Sequence, residues 1–347
     1  METQKEEYMK KRNLLILLLI IIILSLLIYI IYIVYQSNYN NHQEQNEDII
    51  STYNNPIVPH GFHTINTQTA QWTKLNDGTI DDWNKGLVIE DEKGNQFVWV
   101  PINQQKISYE IDGIEDEFKY NPNLLNLSNN EEKQILKYGG FYISRYEAGV
   151  PFEMESHLSN ITSDTNDING VPVSQKGVIP WNYISLRNAK LNAESMYNNN
   201  EYSSHLPTLK QMMYISNWLN SSNYDVYDSS KFGNYSNVNF EFSGFYSDDY
   251  GSNYKVANSK MKSEKNMILS TGATDRNMTN NIYDLAGNLW EYTDTYCSIN
   301  ENEILGYYCV GGHYDNTGYN YPVFNHSLKN VVPLDKVGFR IVLSFKN

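Results

Sequence analysis

The sequence predicts an α+β domain. Strand-like segments occur at residues 87–89, 97–101 and 138–147, and four further short ones follow at 267–270, 289–293, 307–310 and 337–343. Between these two groups, residues 184–219 carry the apolar spacing of two helices. Strands on both sides of a central helical pair are typical of α+β domains, in which helices cover part of a sheet.

A turn joins the first two predicted strands. Residues 87–89 (LVI) and 97–101 (FVWVP) are apolar runs, and DEKGN between them contains a glycine suited to a tight turn. Pro101 ends the second strand, since proline cannot donate to a sheet ladder. The polar stretch 103–138 that follows is predicted to contain a short helix near residues 130–136.

Two helices follow. Apolar residues recur at near-helical spacing over residues 184–196, and Thr208 is a suitable N-cap for a second helix over residues 209–219. Residues 220–262 are rich in Ser, Asn, Tyr, Asp and Gly and show little periodicity. This composition predicts a long surface loop.

Residues 14–35 predict a transmembrane anchor. The run at 14–34 is almost entirely apolar, and as a helix it would measure about 31 Å, the thickness of a bilayer core. Lys10, Lys11 and Arg12 precede it and the next cation is Lys74, so the positive-inside rule places residues 1–13 in the cytoplasm. The alternative, a cleaved signal peptide, is disfavoured by the long run without small residues at its end. Residues 36–58 then predict a flexible stalk, and residues 59–347 an extracellular domain.

Charge and motif content exclude several function classes. The chain has 40 acidic and 26 basic residues, a net charge of −14, whereas sequence-independent nucleic-acid binding requires basic surfaces. The sequence contains no G-x-S-x-G, phosphate-binding loop or H-E-x-x-H motif. Its seven histidines form no catalytic pattern. Nucleophilic, phosphoryl-transfer and zinc-protease chemistry therefore have no support.

Five short motifs resemble one known family. Residues 284–293 (DLAGNLWEYT) resemble the G-N-x-W-E-W signature of the formylglycine-generating enzyme, or sulfatase-modifying factor, family. The other four occur in the family's order: FYISRYE at 141–147, HLPT at 205–208, GG at 311–312 and GFR at 338–340. The resemblance implies a C-type-lectin-like fold over residues 95–345.

The same resemblance bears on chemistry. Oxidases of the family bind copper through two cysteines shortly after the glycine pair and convert a substrate cysteine to formylglycine, but residues 313–319 contain no cysteine. Copper is therefore not expected. An oxidase with cysteines rearranged to Cys297 and Cys309 is the competing hypothesis.

The signature also implies a calcium site in family members that have one. Its ligands would be the side chains of Asp284 and Glu291 and the carbonyls of Gly287 and Leu289, all hard oxygen donors of the kind that Ca²⁺ prefers. Alternatively, both carboxylates accept hydrogen bonds from backbone amides in a tight loop. The sequence leaves both alternatives open.

Cys297 and Cys309 are the chain's two cysteines. In an extracellular compartment they predict a disulfide closing the loop 298–308, worth about 2 to 3 kcal/mol through loop entropy. A pair of unbonded thiols is the alternative.

The run after Gly312 predicts a binding face. Tyr and Asn offer large contact area and adaptable hydrogen bonds, as in antibody binding sites. The run also resembles the variable region of retroelement-diversified lectin-fold proteins, which lies between a glycine pair and the closing G-F-R. The predicted ligand contacts are His313, Tyr314, Asn316, Tyr319, Asn320, Tyr321, Asn325 and His326.

The combined prediction is a non-catalytic, single-pass membrane protein that binds an unknown extracellular protein or glycan. Replacing Tyr314, Tyr319 and Tyr321 by Ala is expected to weaken binding and leave the fold intact. A structural component of the cell envelope is a third hypothesis.

Overall fold

The structure is a computed structural model of the chain. It describes Tyr29 and residues 58–66, 71–72, 86–102, 135, 137–151, 158–263, 266–300, 303–329 and 332–346. The chain divides into two compact units, Met1–Tyr53 and Asn54–Asn347. Apart from Tyr29 and Val58, the predicted cytoplasmic segment, anchor and stalk lie outside the described residues. Within the described part of the chain, no helix has the length and apolarity needed to cross a bilayer.

Sixteen strands and three α-helices are described in the second unit. The helices are α1 (Ser163–Asn166), α2 (Leu186–Met196) and α3 (Leu209–Ser221). The strands are β1 (Phe62–Asn66), β2 (Gln71–Trp72), β3 (Val88–Asp91), β4 (Gln96–Pro101), β5 (Gly140–Ser144), β6 (Tyr202–His205), β7 (Glu241–Ser247), β8 (Lys255–Lys262), β9 (Ile268–Leu269), β10 (Met278–Thr279), β11 (Ile282–Tyr283), β12 (Trp290–Asn300), β13 (Glu303–Val310), β14 (His326–Lys329), β15 (Val337–Phe339) and β16 (Val342–Phe345).

The largest sheet has seven strands in the order β2-β1-β3-β4-β5-β16-β6. All of its neighbouring pairs are antiparallel. β5 is buried at all five positions, as its continuous apolar composition predicts for a strand covered on both faces. The last strand of the chain, β16, lies between β5 and β6, so the segment leading into it crosses the centre of the domain.

Local sequence explains where α2 and α3 begin. The Ser185 hydroxyl accepts from the amide of Asn188 at the start of α2. Thr208 and Gln211 form a reciprocal capping box at the start of α3. Both helices match the predicted ones, and the expected N-cap at Thr208 is confirmed.

One hydrophobic core joins the large sheet to α3 and to the loops beyond it. Fully burying one Val, Leu, Ile, Phe or Met side chain stabilises the folded state by about 1.5 to 3 kcal/mol. The cluster therefore fixes the position of the loops as well as the regular elements. Its buried members include Val98, Val100, Ile143, Leu209, Met212, Ile215, Leu219, Phe232, Tyr235, Ile282, Leu285, Tyr308, Val310 and Val342.

Three smaller sheets carry the rest of the domain: β14-β13-β12-β15, β8-β7-β9 and β10-β11. β12 pairs parallel with β15, placing Trp290 opposite Val337 and Glu291 opposite Gly338. Residues 340 and 341 then connect β15 to β16 in the large sheet. The predicted strand at 337–343 is thus two strands in different sheets.

The prediction of a loop over all of residues 220–262 is wrong in its second half. β7 and β8 pair as an antiparallel hairpin, with a register shift between Phe242 and Gly244. Such an irregularity interrupts the alternation of side chains that marks a strand in sequence. The α+β prediction is confirmed in outline, and the described domain is mostly sheet.

Candidate functional site

Residues 284–289 form a buried turn that leads from β11 into β12. The backbone takes positive φ angles at Asn281, Asp284, Gly287 and Asn288, which Asn, Asp and Gly adopt most readily. At Gly287 a Cβ would collide with the backbone of Asn234, so no larger residue fits without a shift. The signature therefore specifies a backbone path as well as a set of side chains.

Asn288 joins this turn to four other segments. Its Nδ2 donates to Glu147 Oε2 at 2.5 Å and to the Leu269 carbonyl at 3.2 Å. Its Oδ1 accepts from the Leu269 amide at 2.9 Å and from Asn234 Nδ2 at 3.0 Å. Its carbonyl accepts from the Tyr314 amide at 2.9 Å, at the start of the predicted binding run. One fully buried amide thus links the interior to that run.

Glu291 and Arg340 form a buried ion pair. Arg340 Nη2 donates to Glu291 Oε1 at 2.6 Å, and its Nε lies 2.9 and 3.1 Å from the two carboxylate oxygens. Both side chains are at most 1% exposed. The remaining guanidinium donors meet the carbonyls of Ser144 and Tyr283. Each of the three guanidinium nitrogens thus donates to an acceptor, and a buried charge is stabilised only when its hydrogen bonds are made in this way.

Two further carboxylates lie in the same interior. Asp284 accepts from the Gly272 amide at 2.7 Å and from Asn277 Nδ2 at 3.3 Å. Glu147 accepts from Asn288 and from the Leu289 amide, the latter at 3.2 Å. Burial raises the pKa of Asp284 to about 6. Burial and the neighbouring Asp284 charge raise the pKa of Glu147 well above its usual value.

The predicted calcium ligands Asp284, Gly287, Leu289 and Glu291 belong to this turn and the first residues of β12, but as arranged they do not fit a calcium ion. Arg340 donates to both carboxylate oxygens of Glu291, so a guanidinium already neutralises that acid. Among the residues that the structure describes, no group of three His, Cys, Asp or Glu side chains is placed to hold a metal. Calcium stays a prediction from the family resemblance.

The predicted disulfide between Cys297 and Cys309 is not formed. In the β12–β13 ladder Cys297 lies opposite Gly306, whereas Cys309 lies opposite Tyr292. Gly306 is three positions from Cys309, a distance of roughly 10 Å along a strand. A disulfide requires Cα atoms within about 7 Å. The register of the hairpin, which the sequence does not show, therefore keeps the sulfurs apart.

The predicted ligand contacts separate into three groups. His313 and Tyr314 are buried, and the Tyr314 hydroxyl donates to Asp335 Oδ2 at 3.1 Å. Their predicted role as direct contacts is corrected, since Tyr314 is 0% exposed. The half-buried residues are Asn316, Asn325 and His326, and the exposed ones are Tyr319, Asn320 and Tyr321.

Replacing Tyr314 by Ala would consequently disturb the fold, contrary to the expectation from sequence. Its ring lies in the interior beside His313, with centroids 5.4 Å apart. Burial and the nearby Asp335 charge raise the pKa of its hydroxyl. Tyr319 and Tyr321 are instead 58% and 39% exposed. These two rings can meet a ligand without rearrangement.

The predicted ligand contacts lie on one loop, residues 313–326. A second segment, residues 224–237, holds this loop in place. The Ser229 amide donates to the Gly318 carbonyl at 3.0 Å, and the Gly318 amide donates to Asn237 Oδ1 at 3.1 Å. The Val323 amide donates to Ser229 Oγ at 2.9 Å. The Tyr235 hydroxyl lies 2.9 Å from the Gly311 carbonyl and 2.8 Å from the Tyr321 carbonyl. Hydrogen bonds thus hold together two segments that are far apart in sequence.

Sequence reasoning missed two residues of this second segment. Tyr227 is 49% exposed, and its ring lies edge-on to Phe324 with centroids 4.9 Å apart. Tyr235 is buried beneath the loop. Neither lies in a periodic pattern, and only the contacts across the fold distinguish them from the chain's other tyrosines.

Three solved structures are similar to this chain at low identity. The protein in the crystal structure of CarF is 13% identical to this chain. The match covers 60% of this chain and 87% of the CarF chain, with a TM-score of 0.36. Treponema denticola variable protein 1 is 12% identical, with coverages of 59% and 84% and a TM-score of 0.35. The Major Tropism Determinant P3c variant is 13% identical, with coverages of 60% and 51% and a TM-score of 0.31.

Superpositions this loose carry no argument about function. No protein-family model matches the chain, and no curated protein sequence matches it. The resemblance to the formylglycine-generating enzyme family therefore rests on the five sequence motifs alone.

Proposed function

We propose that this chain is a membrane-anchored surface protein whose C-type-lectin-like domain binds a protein or glycan ligand without catalysis. The contacts come from the loop 313–326. One observation carries the proposal: Tyr319 and Tyr321 are exposed on a loop whose backbone is fastened to the domain by hydrogen bonds. A rigid aromatic surface binds with little loss of conformational entropy.

The arrangement of the motifs supports the fold part of the proposal. Four of the five meet in the interior: Glu147 accepts from Asn288, the Gly287 amide donates to the Gly311 carbonyl at 2.8 Å, and Arg340 pairs with Glu291. Residues 141–147, 284–293, 311–312 and 338–340 are thus parts of one network. This convergence favours common architecture over chance likeness.

The anchor is proposed from the apolar run 14–34 and the cations before it. The absence of catalysis is proposed because residues 313–319 contain no cysteine and the two cysteines lie apart in the β12–β13 hairpin. No described contact favours the oxidase or the purely structural hypothesis.

Ligand capture by loop variants tests the proposal. The purified full-length chain would be screened against immobilised glycans and a displayed library of random 15-residue peptides, to obtain a bound probe. Tyr319→Ala and Tyr321→Ala are each expected to weaken its binding about tenfold, as for truncated aromatic hot spots. Tyr296→Ala is the matched control, because Tyr296 is 49% exposed on the β12–β13 hairpin.

Equal loss of binding in all three variants would indicate non-specific adhesion and contradict the proposal. Probes whose affinity is unchanged by both loop variants would place the binding face elsewhere. Circular dichroism of each variant separates loss of contact from loss of fold.

A further inference from the structure

The exposed surface around the loop has two components. We define the composite face as Tyr227, Tyr319, Asn320, Tyr321 and Phe324. Tyr227 belongs to the segment 224–237, and the other four belong to the loop 313–326. The Tyr227 and Phe324 rings are in edge contact. Close by, the Ser229 amide donates to residue 318, and the amides of residues 318 and 323 donate to Asn237 and Ser229. A ligand on the loop would therefore also contact Tyr227.

This face offers a surface and no deep pocket. The cavity beside it lies beneath Phe324, and its volume of about 10 Å³ is room for one water molecule. Its walls are Leu209, Met212, Met213, Ser216, Val310, Val323 and Phe324. Small molecules bind in concave sites of roughly 300 to 1,000 Å³. Exposed aromatic rings on a shallow surface are instead typical of contacts with another polypeptide.

The charges beside Tyr227 favour a cationic partner. Asp225 and Asp228 flank it, and their carboxylates accept from backbone amides within the same turn. The hydrogen bonds from Ser230 lower the pKa of Asp228, so that it is ionised at neutral pH. The chain as a whole has a net charge of −14. The electrostatic field of such a chain attracts basic molecules and repels acidic ones.

Nearby cations offset only part of this charge. Lys231 interacts with Asp228. Arg276 points inward, where it donates to the carbonyls of Ser230 and Gly233 and lies over the Phe240 ring. On the other segment Asp315 is paired with Lys336 at 3.1 Å. Of the exposed charged groups in this segment, Asp225 and Asp228 carry two negative charges and Lys231 carries one positive charge, so one net negative charge remains next to the aromatic rings.

We infer that the composite face binds a basic polypeptide, whose Arg or Lys side chains lie over Tyr227 and Tyr319 and approach Asp225 and Asp228. The inference rests on the proposed function and adds to it the class of ligand. Guanidinium and ammonium groups are attracted both to the face of an aromatic ring and to carboxylates. The aromatic rings supply contact area, and the carboxylates select the charge.

Peptide selection tests the inference. The full-length chain would be panned against the displayed library of random 15-residue peptides at about 50 mM NaCl, where charge contacts are weakly screened. Selected peptides are expected to be enriched in Arg and Lys. Tyr227→Ala should weaken their binding about tenfold. The double variant Asp225→Asn/Asp228→Asn should remove most of the salt dependence, since Asn keeps the turn's acceptor oxygens and removes the charge.

The outcomes separate this inference from the proposed function. Peptides that lose binding on Tyr319→Ala but show no basic enrichment would overturn the ligand class and leave the binding face. Peptides indifferent to Tyr227→Ala, Tyr319→Ala and Tyr321→Ala would overturn both. Selection of glycans alone, with no peptide, would overturn the inference and keep the proposed function.

Discussion

Asn288 contacts more of the candidate site than its size suggests. Its side-chain amide has partners on Glu147, Asn234 and Leu269, and it is fully buried. Asn288→Ala would leave buried donors and acceptors unpaired on three segments. We expect a loss of roughly 3 kcal/mol or more in the free energy of unfolding, measured by urea denaturation.

Asn320→Ala is the control for that measurement, because Asn320 is exposed in the same region. Its free energy of unfolding should change by less than about 0.5 kcal/mol. Equal stability of the two variants would contradict the hydrogen-bond network around Asn288.

The buried carboxylates make stability depend on pH. The pKa of Asp284 is about 6 in the folded chain, against roughly 3.9 when unfolded, and that of Glu147 is also raised. Between these values the folded chain binds more protons, so its free energy of unfolding should fall as pH rises from about 4 to 6. The fall from Asp284 is roughly 3 kcal/mol at most.

Thermal unfolding between pH 4 and 7 measures this effect. Asp284→Asn should show a shallower decline in Tm, since the titrating group is absent. A Tm that rises steadily to pH 7 in the wild type, with the same slope in the variant, would show that Asp284 is not buried as described. Asp228, Asp249 and Asp275 have lowered pKa values, and their contribution is lost only below about pH 4.

For single residues, the sequence predicts which positions belong to the candidate site better than it predicts the contacts that they make there. The signature singles out Asp284 and Glu291, whose oxygens suit a metal. The structure gives Glu291 the guanidinium of Arg340 instead. These two residues are 49 positions apart, and no local pattern shows that they meet.

Among the structural elements, the loop 313–326 is fastened by several hydrogen bonds, and one hydroxyl beneath it reaches the carbonyls on both sides. Tyr235 Oη lies within hydrogen-bond distance of the carbonyls of Gly311 and Tyr321. Position 312 requires glycine, because a Cβ there would collide with the Tyr321 carbonyl oxygen. Tyr235→Phe removes the hydroxyl and keeps the ring, and should cost about 1 to 2 kcal/mol in urea denaturation.

The same variant should weaken the binding of a probe that depends on Tyr321, because the Tyr321 carbonyl is one of the hydroxyl's partners. Tyr319→Phe is the control, since the Tyr319 ring is exposed and its replacement should leave stability unchanged. A Tyr235→Phe protein as stable as the wild type would show that the hydroxyl does not fasten the loop.

Elements defined by local pattern are predictable, and those defined by pairing are not. α2 and α3 follow from apolar spacing and their N-caps. The β7–β8 hairpin escapes prediction because its register shift near Gly244 breaks the alternation. The run 313–326 is rich in Tyr and Asn, yet Tyr314 is buried and Tyr319 exposed. Which of them faces solvent depends on contacts with residues 224–237.

The described domain is mostly sheet, and two segments that are distant in sequence build the proposed binding face. The order of strands and the placement of β16 between β5 and β6 bring Arg340 to the centre. There Arg340 pairs with Glu291 and donates to the Ser144 carbonyl. Three residues after Ser144, Glu147 accepts from Asn288, whose carbonyl accepts from the Tyr314 amide. The central claim is that this architecture holds the loop in place before any ligand arrives.

Hydrogen exchange of the free full-length chain tests that claim most directly. The amides of Tyr314, Gly318, Tyr321 and Val323 all donate to acceptors within the domain. We expect these amides to exchange at least about 100-fold more slowly than the amides of an unstructured peptide. Exchange at the unstructured rate, with protection elsewhere in the domain, would contradict a preformed binding face.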